Sequence, residues 1–555
     1  MTDYAYDLGH YTRTVSTGVA AAQVWFNRGL NWTFGFNHKE AIACFARAAA
    51  ADPACAMAHW GVAYAAGPNY NMPWWRYDEK GLREALEEAF DATQTALTQI
   101  AHATPAEAAL IEALALRYPR RTPTDIATME RWDADFADAM RAAHAQFPGD
   151  MDVACVFAES LLDLTPWAMW DIATGTVAPG AATAECRAVL EAQMALPGGM
   201  RHPGILHLYV HLMEMSPTPE KALRAGDVLR TLVPDAGHLV HMPTHIDVLC
   251  GDYEKVVRWN EAAIPADLKY YEAEGAFNIY TGYRQHNYHF IIAGALYLGQ
   301  FEPAMRAVEG LRATTPDALL RVPSPPMADY FETYMSFEPH VLIRFGMWEE
   351  ILALPDTKDP QVYAFTAAML EYARGLALSA LGRVAEARAQ VAVFEAAATA
   401  MPQTRWMHNV LATDLLDIAR AMLAGELAYR EGDYTTAFRE LRRAVHLDDG
   451  LNYDEPWCWM QPTRHALGAL LFEQGHYAKA EQVFREDLGL VPGLPRAQQH
   501  PDNVWALRGL YDCLAAQGKE AEMAHLKLRL DLAEARADRP IKAACGCAQV
   551  AMDAR

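Results

Sequence analysis

Eight of the twenty histidines fall between positions 202 and 289: His202, His207, His211, His238, His241, His245, His286 and His289. Neutral imidazole is a ligand for zinc, copper, iron and nickel, provided several rings converge on one point. Two spacings match. His207 and His211 read H-x-x-x-H, as do His241 and His245, and the second pair follows the first by 34 residues. On a helix, positions i and i+4 share a face, as do i and i+7. His207, His211 and Glu214 therefore project together, and His238, His241 and His245 form a second such face. His286 and His289, at i and i+3, form a third. His202 precedes Pro203 and is the weakest member of the set.

The seven histidines at 207, 211, 238, 241, 245, 286 and 289 are the expected metal ligands. Burying so many imidazoles without an ion would leave many ring nitrogens to satisfy. The donor set favours copper, with iron or zinc as alternatives. It also exceeds the three or four ligands of one ordinary site, so more than one ion is expected. The paired H-x-x-x-H pattern is similar in ligand type, though not in fold, to coupled binuclear copper proteins. Glu214 and His238 are the candidate acid–base groups. Glu214 would ligate, or would orient an imidazole from behind.

The elements that must position these residues are helices. A period of 34 residues is that of the tetratricopeptide helix–turn–helix repeat, and Gln23–Pro53 reads as one complete repeat. Its first helix carries Trp25, Gly29 and Trp32, Phe36-Asn37-His38 turns the chain, and the second helix carries Ala41, Phe45 and Ala48 before Asp52-Pro53 stops it. Further helices are expected near 79–101, 104–117, 122–146, 150–163, 182–196, 203–215, 219–232, 237–250, 253–263, 283–298 and 302–312. Residues 313–330, with four prolines, read as a long loop. Pairs of helices follow over 331–354, 361–400, 405–448, 458–490 and 503–536, with turns such as Gly432-Asp433-Tyr434 and Gly475-His476-Tyr477. The fold class is thus all-α, a tetratricopeptide-like α-solenoid, strongly curved or closed around a concavity. Residues 1–200 form N-terminal repeats, 201–312 the histidine-rich repeats, 313–536 C-terminal repeats and 537–555 a flexible tail. Aromatic loops at 69–75, 165–171 and 452–459 would wall a pocket.

Composition narrows the function. The 555 residues are 52% hydrophobic and carry a net charge of −23, which argues against a nucleic-acid partner and against an anionic membrane surface. No apolar run approaches a membrane span, and residues 1–9 lack the features of a secretory signal. Nine scattered cysteines suit a cytoplasmic protein. Phosphate-binding glycine loops, G-x-S-x-G and H-E-x-x-H do not occur, so nucleotide cofactors and common hydrolase machinery are unsupported. Among secondary candidates, His38 reads as a cap of its turn. Tyr453, Asp454, Glu455 and Arg464 read as an ion network. Cys545-Gly546-Cys547 reads as a loose thiol pair, a strained disulfide or a soft copper site.

Four stretches, FNHKEAIACFARAAAADPACAMAHWGVAYAAGPNYN (36–71), ESLLDLTPWAMWD (159–171), GHLVHMPTHI (237–246) and NYDEPW (452–457), carry a resemblance to a group of large bacterial tetratricopeptide-like proteins. The resemblance spans most of the chain and implies the fold; the group has no settled activity. Three functions stay open. The first is a copper or iron oxidoreductase using dioxygen on a small-molecule substrate. The second is a metal-assisted hydrolase or lyase, and the third a non-catalytic scaffold that docks peptides or proteins.

Overall fold

The computed structural model describes residues 4–548. It is all-α: twenty-seven α-helices lie among the described residues, and the only ladders there are two short hairpins, Trp170–Asp171 with Thr176–Val177 and Trp406–Met407 with Val410–Leu411. The chain divides into two compact units. The first holds residues 1–246 and 262–270, the second 247–261 and 271–555.

The helices come in antiparallel pairs, and one backbone device closes most of the turns. After the helices Ala364–Ala380, Ala412–Arg430, Thr463–Glu473 and Val504–Ala516, the N–H groups of Arg383, Asp433, His476 and Lys519 donate to the carbonyls five residues back, at 2.8–3.0 Å. The residue before each donor is a glycine with φ between 67° and 81°. A Cβ at any of these four would meet nothing within 4 Å. Backbone handedness, not crowding, therefore demands glycine there.

The turn at 34–37 makes the same bond, Asn37 N–H to the Trp32 carbonyl at 3.0 Å. Here the residue in the glycine position is Phe36, with φ 54°. A bulky side chain in this region is an outlier, and its reason lies in the site below.

Other glycines serve close approach. A Cβ on Gly29 would stand 2.7 Å from the Phe45 ring, and one on Gly61 2.4 Å from it. Phe45, fully buried, is thus clasped by the helices before and after its own. Phe484 in the second unit has the same arrangement, with Gly468 and Gly509 at 2.5 and 2.4 Å.

Several boundaries differ from those read in the sequence. The expected helix 237–250 is two helices, Gly237–His241 and Pro243–Leu249, because Pro243 has no N–H to continue the ladder. The helix at 253 runs on to Glu274 with Pro265 inside it. The expected loop at 313–330 contains the short helices Asp317–Leu320 and Met327–Phe331. Where a flexible tail is expected from 537, residues 537–548 pack instead: Ile541, Ala544 and Cys547 are buried, and Asp538 accepts from the N–H groups of Phe301 and Glu302 at 2.7 and 2.8 Å. Cys545 and Cys547 are joined as a disulfide rather than standing as a loose thiol pair. Residues 549–555 lie outside the described residues.

Candidate metal centre

Helix Pro203–Glu214 is buried along its whole length. His202 caps it, its Nδ1 accepting from the Ile205 N–H at 3.2 Å, and its Nε2 lies 3.3 Å from Asp152. Both ring nitrogens are engaged in packing the helix start, which explains why His202 stands outside the ligand set.

His207, one turn on, places Nδ1 2.7 Å from the Phe34 carbonyl oxygen. A carbonyl only accepts, so Nδ1 carries the proton and Nε2 presents its lone pair. That Nε2 is 3.1 Å from Nε2 of His238, on helix Gly237–His241. His211 completes the group: one ligand atom from each of His207, His211 and His238 lies within 4.8 Å of the others. Two nitrogens held by one ion at about 2.0–2.1 Å stand about 2.8–3.4 Å apart at bond angles of about 90–110°. The His207–His238 separation falls in that range; without an ion the same distance is an N–H···N hydrogen bond. All three rings are at most 2% exposed. Burial first, then the charge of neighbouring histidines, pulls the pKa of His207 and of His238 well below 6.5. Both are therefore neutral at pH 7, as a ligand must be.

Glu214, fully buried at the end of the same helix, joins this group to the second H-x-x-x-H pair. Its Oε1 is 3.0 Å from His211 Nδ1 and its Oε2 2.7 Å from His245 Nδ1. A carboxylate between two ring nitrogens fixes a proton on each, which turns both Nε2 lone pairs outward. On the far side of His245, Nε2 is 2.7 Å from Nε2 of His241. Although Pro243 breaks the helix between them, the i, i+4 pair still meets.

Aromatic rings cover the cluster. Phe36 lies over all three imidazoles, its ring centroid 4.5 Å from that of His207, and stacked on His211 at 5.7 Å and on His238 at 5.4 Å. Tyr70 packs on His211 at 4.6 Å, and its hydroxyl accepts from the Trp167 N–H at 3.2 Å. Two of the three expected aromatic loops, 69–75 and 165–171, thus meet beside His211.

The seven histidines do not all belong to one unit. His207, His211, His238, His241 and His245 are in the first, His286 and His289 in the second. Within the second unit, the rings of His286 and His289 are 6.2 Å apart. His289 stacks on Phe337 at 4.6 Å, with Nε2 2.9 Å from the Met460 sulfur. His286 lies 5.0 Å from the ring of His408, a residue that the sequence pattern passes over. Nor does the pattern mark Phe36, although the missing glycine of its turn is a visible signal. His38 does not cap its turn: the Asn37 side chain does, accepting from the Glu40 N–H at 3.3 Å. His38 is instead the first residue of the helix His38–Ala51, where burial lowers its pKa to about 4. Glu159 and Asp163, at i and i+4, take structural partners in Tyr64 and Arg117.

No protein-family model and no curated protein sequence matches the chain. Among solved structures it is similar to Ypp1, at 10% identity over 88% of this chain and 69% of that one, with a TM-score of 0.42. It is similar to yeast Tom70 at 11% identity over 92% of each chain, with a TM-score of 0.28. The APC/C heterotetramer Cut9–Hcn1 matches at 11% identity, over 96% of this chain and 95% of that one, with a TM-score of 0.26. The fold is a tetratricopeptide-like helical repeat. The expectation of a small-molecule substrate as partner has no counterpart among these matches, one of which is the hetero-tetramer Cut9–Hcn1. Among the described residues no helix is long and apolar enough to cross a membrane.

Proposed function

We propose that this chain is a helical-repeat protein whose first unit holds a transition-metal ion on His207, His211 and His238. The observation that carries the reading is the convergence of three buried imidazoles under the Phe36 ring, with two Nε2 atoms 3.1 Å apart. Copper is the favoured ion, because an all-imidazole set suits it and it stands highest in the affinity order for divalent ions; zinc and iron are the alternatives. His241 and His245, tied in through Glu214, leave room for a second ion. Within this site Phe34 and Glu214 hold the protons of His207 and His211 on Nδ1. Phe36 and Tyr70 keep water from the rings. Holding the ion is the function proposed.

The second reading is a metal-free scaffold that docks protein partners. Stacked helix pairs alone are enough for it, since they present an extended surface. Elemental analysis after copper reconstitution separates the two, on the native chain beside a His207→Ala/His238→Ala variant of equal helical content. About one equivalent of copper held by the native chain and lost from the variant supports the metal reading. Equal content in both proteins, or no ion retained after reconstitution with copper, zinc or iron, leaves the scaffold.

A further inference from the structure

Cys545 and Cys547 form the one disulfide among the described residues; the other seven cysteines are free. A disulfide stabilises a fold chiefly by closing a loop in the unfolded chain, and the gain shrinks as the loop shortens. A single residue, Gly546, separates this pair. The bond therefore constrains the unfolded chain very little, and its reason lies elsewhere.

The folded backbone keeps the two cysteines together without it. A Cβ on Gly546 would stand 2.7 Å from the Ile343 carbonyl oxygen and 2.8 Å from the Gly346 nitrogen. Glycine thus seats the segment directly on the turn that follows helix Phe337–Arg344. Arg430 Nη2 donates to the Cys547 carbonyl at 2.7 Å, and the Ala548 N–H donates to the Cys545 carbonyl at 3.1 Å. None of these contacts needs the S–S bond. Opening it would leave two thiols on one anchored backbone, their Cα atoms 5.3 Å apart, within the span that a disulfide bridges.

The surroundings suit a thiolate. Both cysteines line a small cavity of the second unit, together with Arg344 and His465. Arg344 is only 3% exposed, and no carboxylate pairs with it among the described residues. Its Nη2 donates to His465 Nδ1 at 2.8 Å, and His465 Nε2 donates to Asp487 at 2.9 Å. Asp487 thus reaches the guanidinium only through a neutral ring. A buried cation in the cavity wall favours a negative sulfur there. The Cys547 N–H, 3.3 Å from Cys545 Sγ, supports the other sulfur.

We propose that Cys545 and Cys547 form a reversible thiol–disulfide exchange site, at which a thiol reductant delivers two electrons to the S–S bond beside the Arg344 charge. The reductant's thiolate attacks Cys545, the more exposed of the two. The S–S bond breaks, a mixed disulfide forms at Cys545, and the electron pair leaves on Cys547 into the cavity. A second reductant thiol then displaces Cys545. Two reductant thiols are oxidised to one disulfide, and the protein pair takes up their two protons. The same steps in reverse reclose the bond. The site stands independently of the first unit's histidines.

The test uses the full native chain at pH 7, with reduced glutathione in one arm and reduced thioredoxin in the other. Iodoacetamide quenches each sample, and mass spectrometry reads the peptide that carries both cysteines. The expected result is alkylation of both at unchanged helical content, with the bond restored afterwards by oxidised glutathione. Opening in either arm supports the proposal, and the faster arm identifies the source as a small thiol or a protein dithiol. A bond that opens only when urea unfolds the chain, or a reduced pair that does not reclose, overturns it. Arg344 is tested on the reduced pair. If losing its charge raises the thiol pKa by about one, about nine-tenths of the thiolate is lost and the rest is about threefold more nucleophilic. Arg344→Gln should then slow alkylation about threefold. Arg344→Lys keeps the charge and should react as the native chain does. Equal rates in all three proteins overturn the proposal as well. If Arg344→Gln loses helical content, opening and reclosing of the native chain decides alone.

Discussion

Phe36 combines an unfavourable backbone with a covering ring, and the two effects can be separated. Replacing Phe36 by alanine removes the ring but keeps an L-residue at φ 54°. Replacing it by glycine removes the ring and relieves the backbone. Loss of a buried phenylalanine costs about 3–5 kcal/mol, and Phe36 is only 4% exposed. An L-residue in the left-handed region costs about 1–2 kcal/mol. Phe36→Ala should therefore destabilise the first unit by about 3–5 kcal/mol, and Phe36→Gly by about 1–4 kcal/mol, glycine recovering about 1–2 kcal/mol. Urea unfolding of the metal-free protein, followed by intrinsic fluorescence, reads both values. A Phe36→Gly variant as stable as the native chain would show that the ring over His207, His211 and His238 adds nothing, and that the site does not explain the missing glycine.

Glu214→Gln keeps the shape but can accept from only one of the two imidazoles while its amide faces the other. One histidine must then move its proton to Nε2, and metal affinity should fall about 10–100-fold, measured by competition with a chelator of known affinity; an unchanged affinity would remove Glu214 from the site. Asp448 sets a pH dependence. Burial raises its carboxyl from 3.8 to about 6, although it accepts from Thr463 and Trp457. Because the folded value is the higher one, its contribution is fully present below pH 3.8 and is lost as pH rises through about 6. That loss amounts to about 3 kcal/mol. Urea midpoints between pH 4 and 7 should therefore fall less steeply in Asp448→Asn than in the native chain; parallel curves would refute it.

The repeat architecture was legible because it is periodic. The Gly-x-Tyr turns at 432 and 475 sit where the structure closes its helix pairs, and the spacing of Gly29 and Phe45 encodes a real contact. The histidine faces were legible for the same reason: His207, His211, His241 and His245 kept their i, i+4 partners. What periodicity cannot carry was missed. The pairing of His207 with His238, 31 residues apart, depends on how two helices dock. The bridging role of Glu214 depends on which carboxylate oxygen meets which ring. His408 stands in a hairpin tip with no repeat around it, 46 residues from Asp454, and only the fold joins the two. The division of the seven histidines between two units was hidden as well, because His286 and His289 take no part in the 34-residue echo and no spacing marks where one unit ends.

The docking of Asp538 on the N-terminus of helix Phe301–Ala313 has a consequence in time. That helix receives the acceptors for its first two N–H groups from a residue 237 and 236 positions later. During synthesis at about 5–20 residues per second, the helix therefore waits roughly 10–50 s for its cap. The carbonyl side of the same turn is satisfied at once, by the local bond from Gln300 to Ala295. Over that interval the start of helix Phe301–Ala313 relies on water, so the second unit acquires its final stability only after Asp538 has left the ribosome.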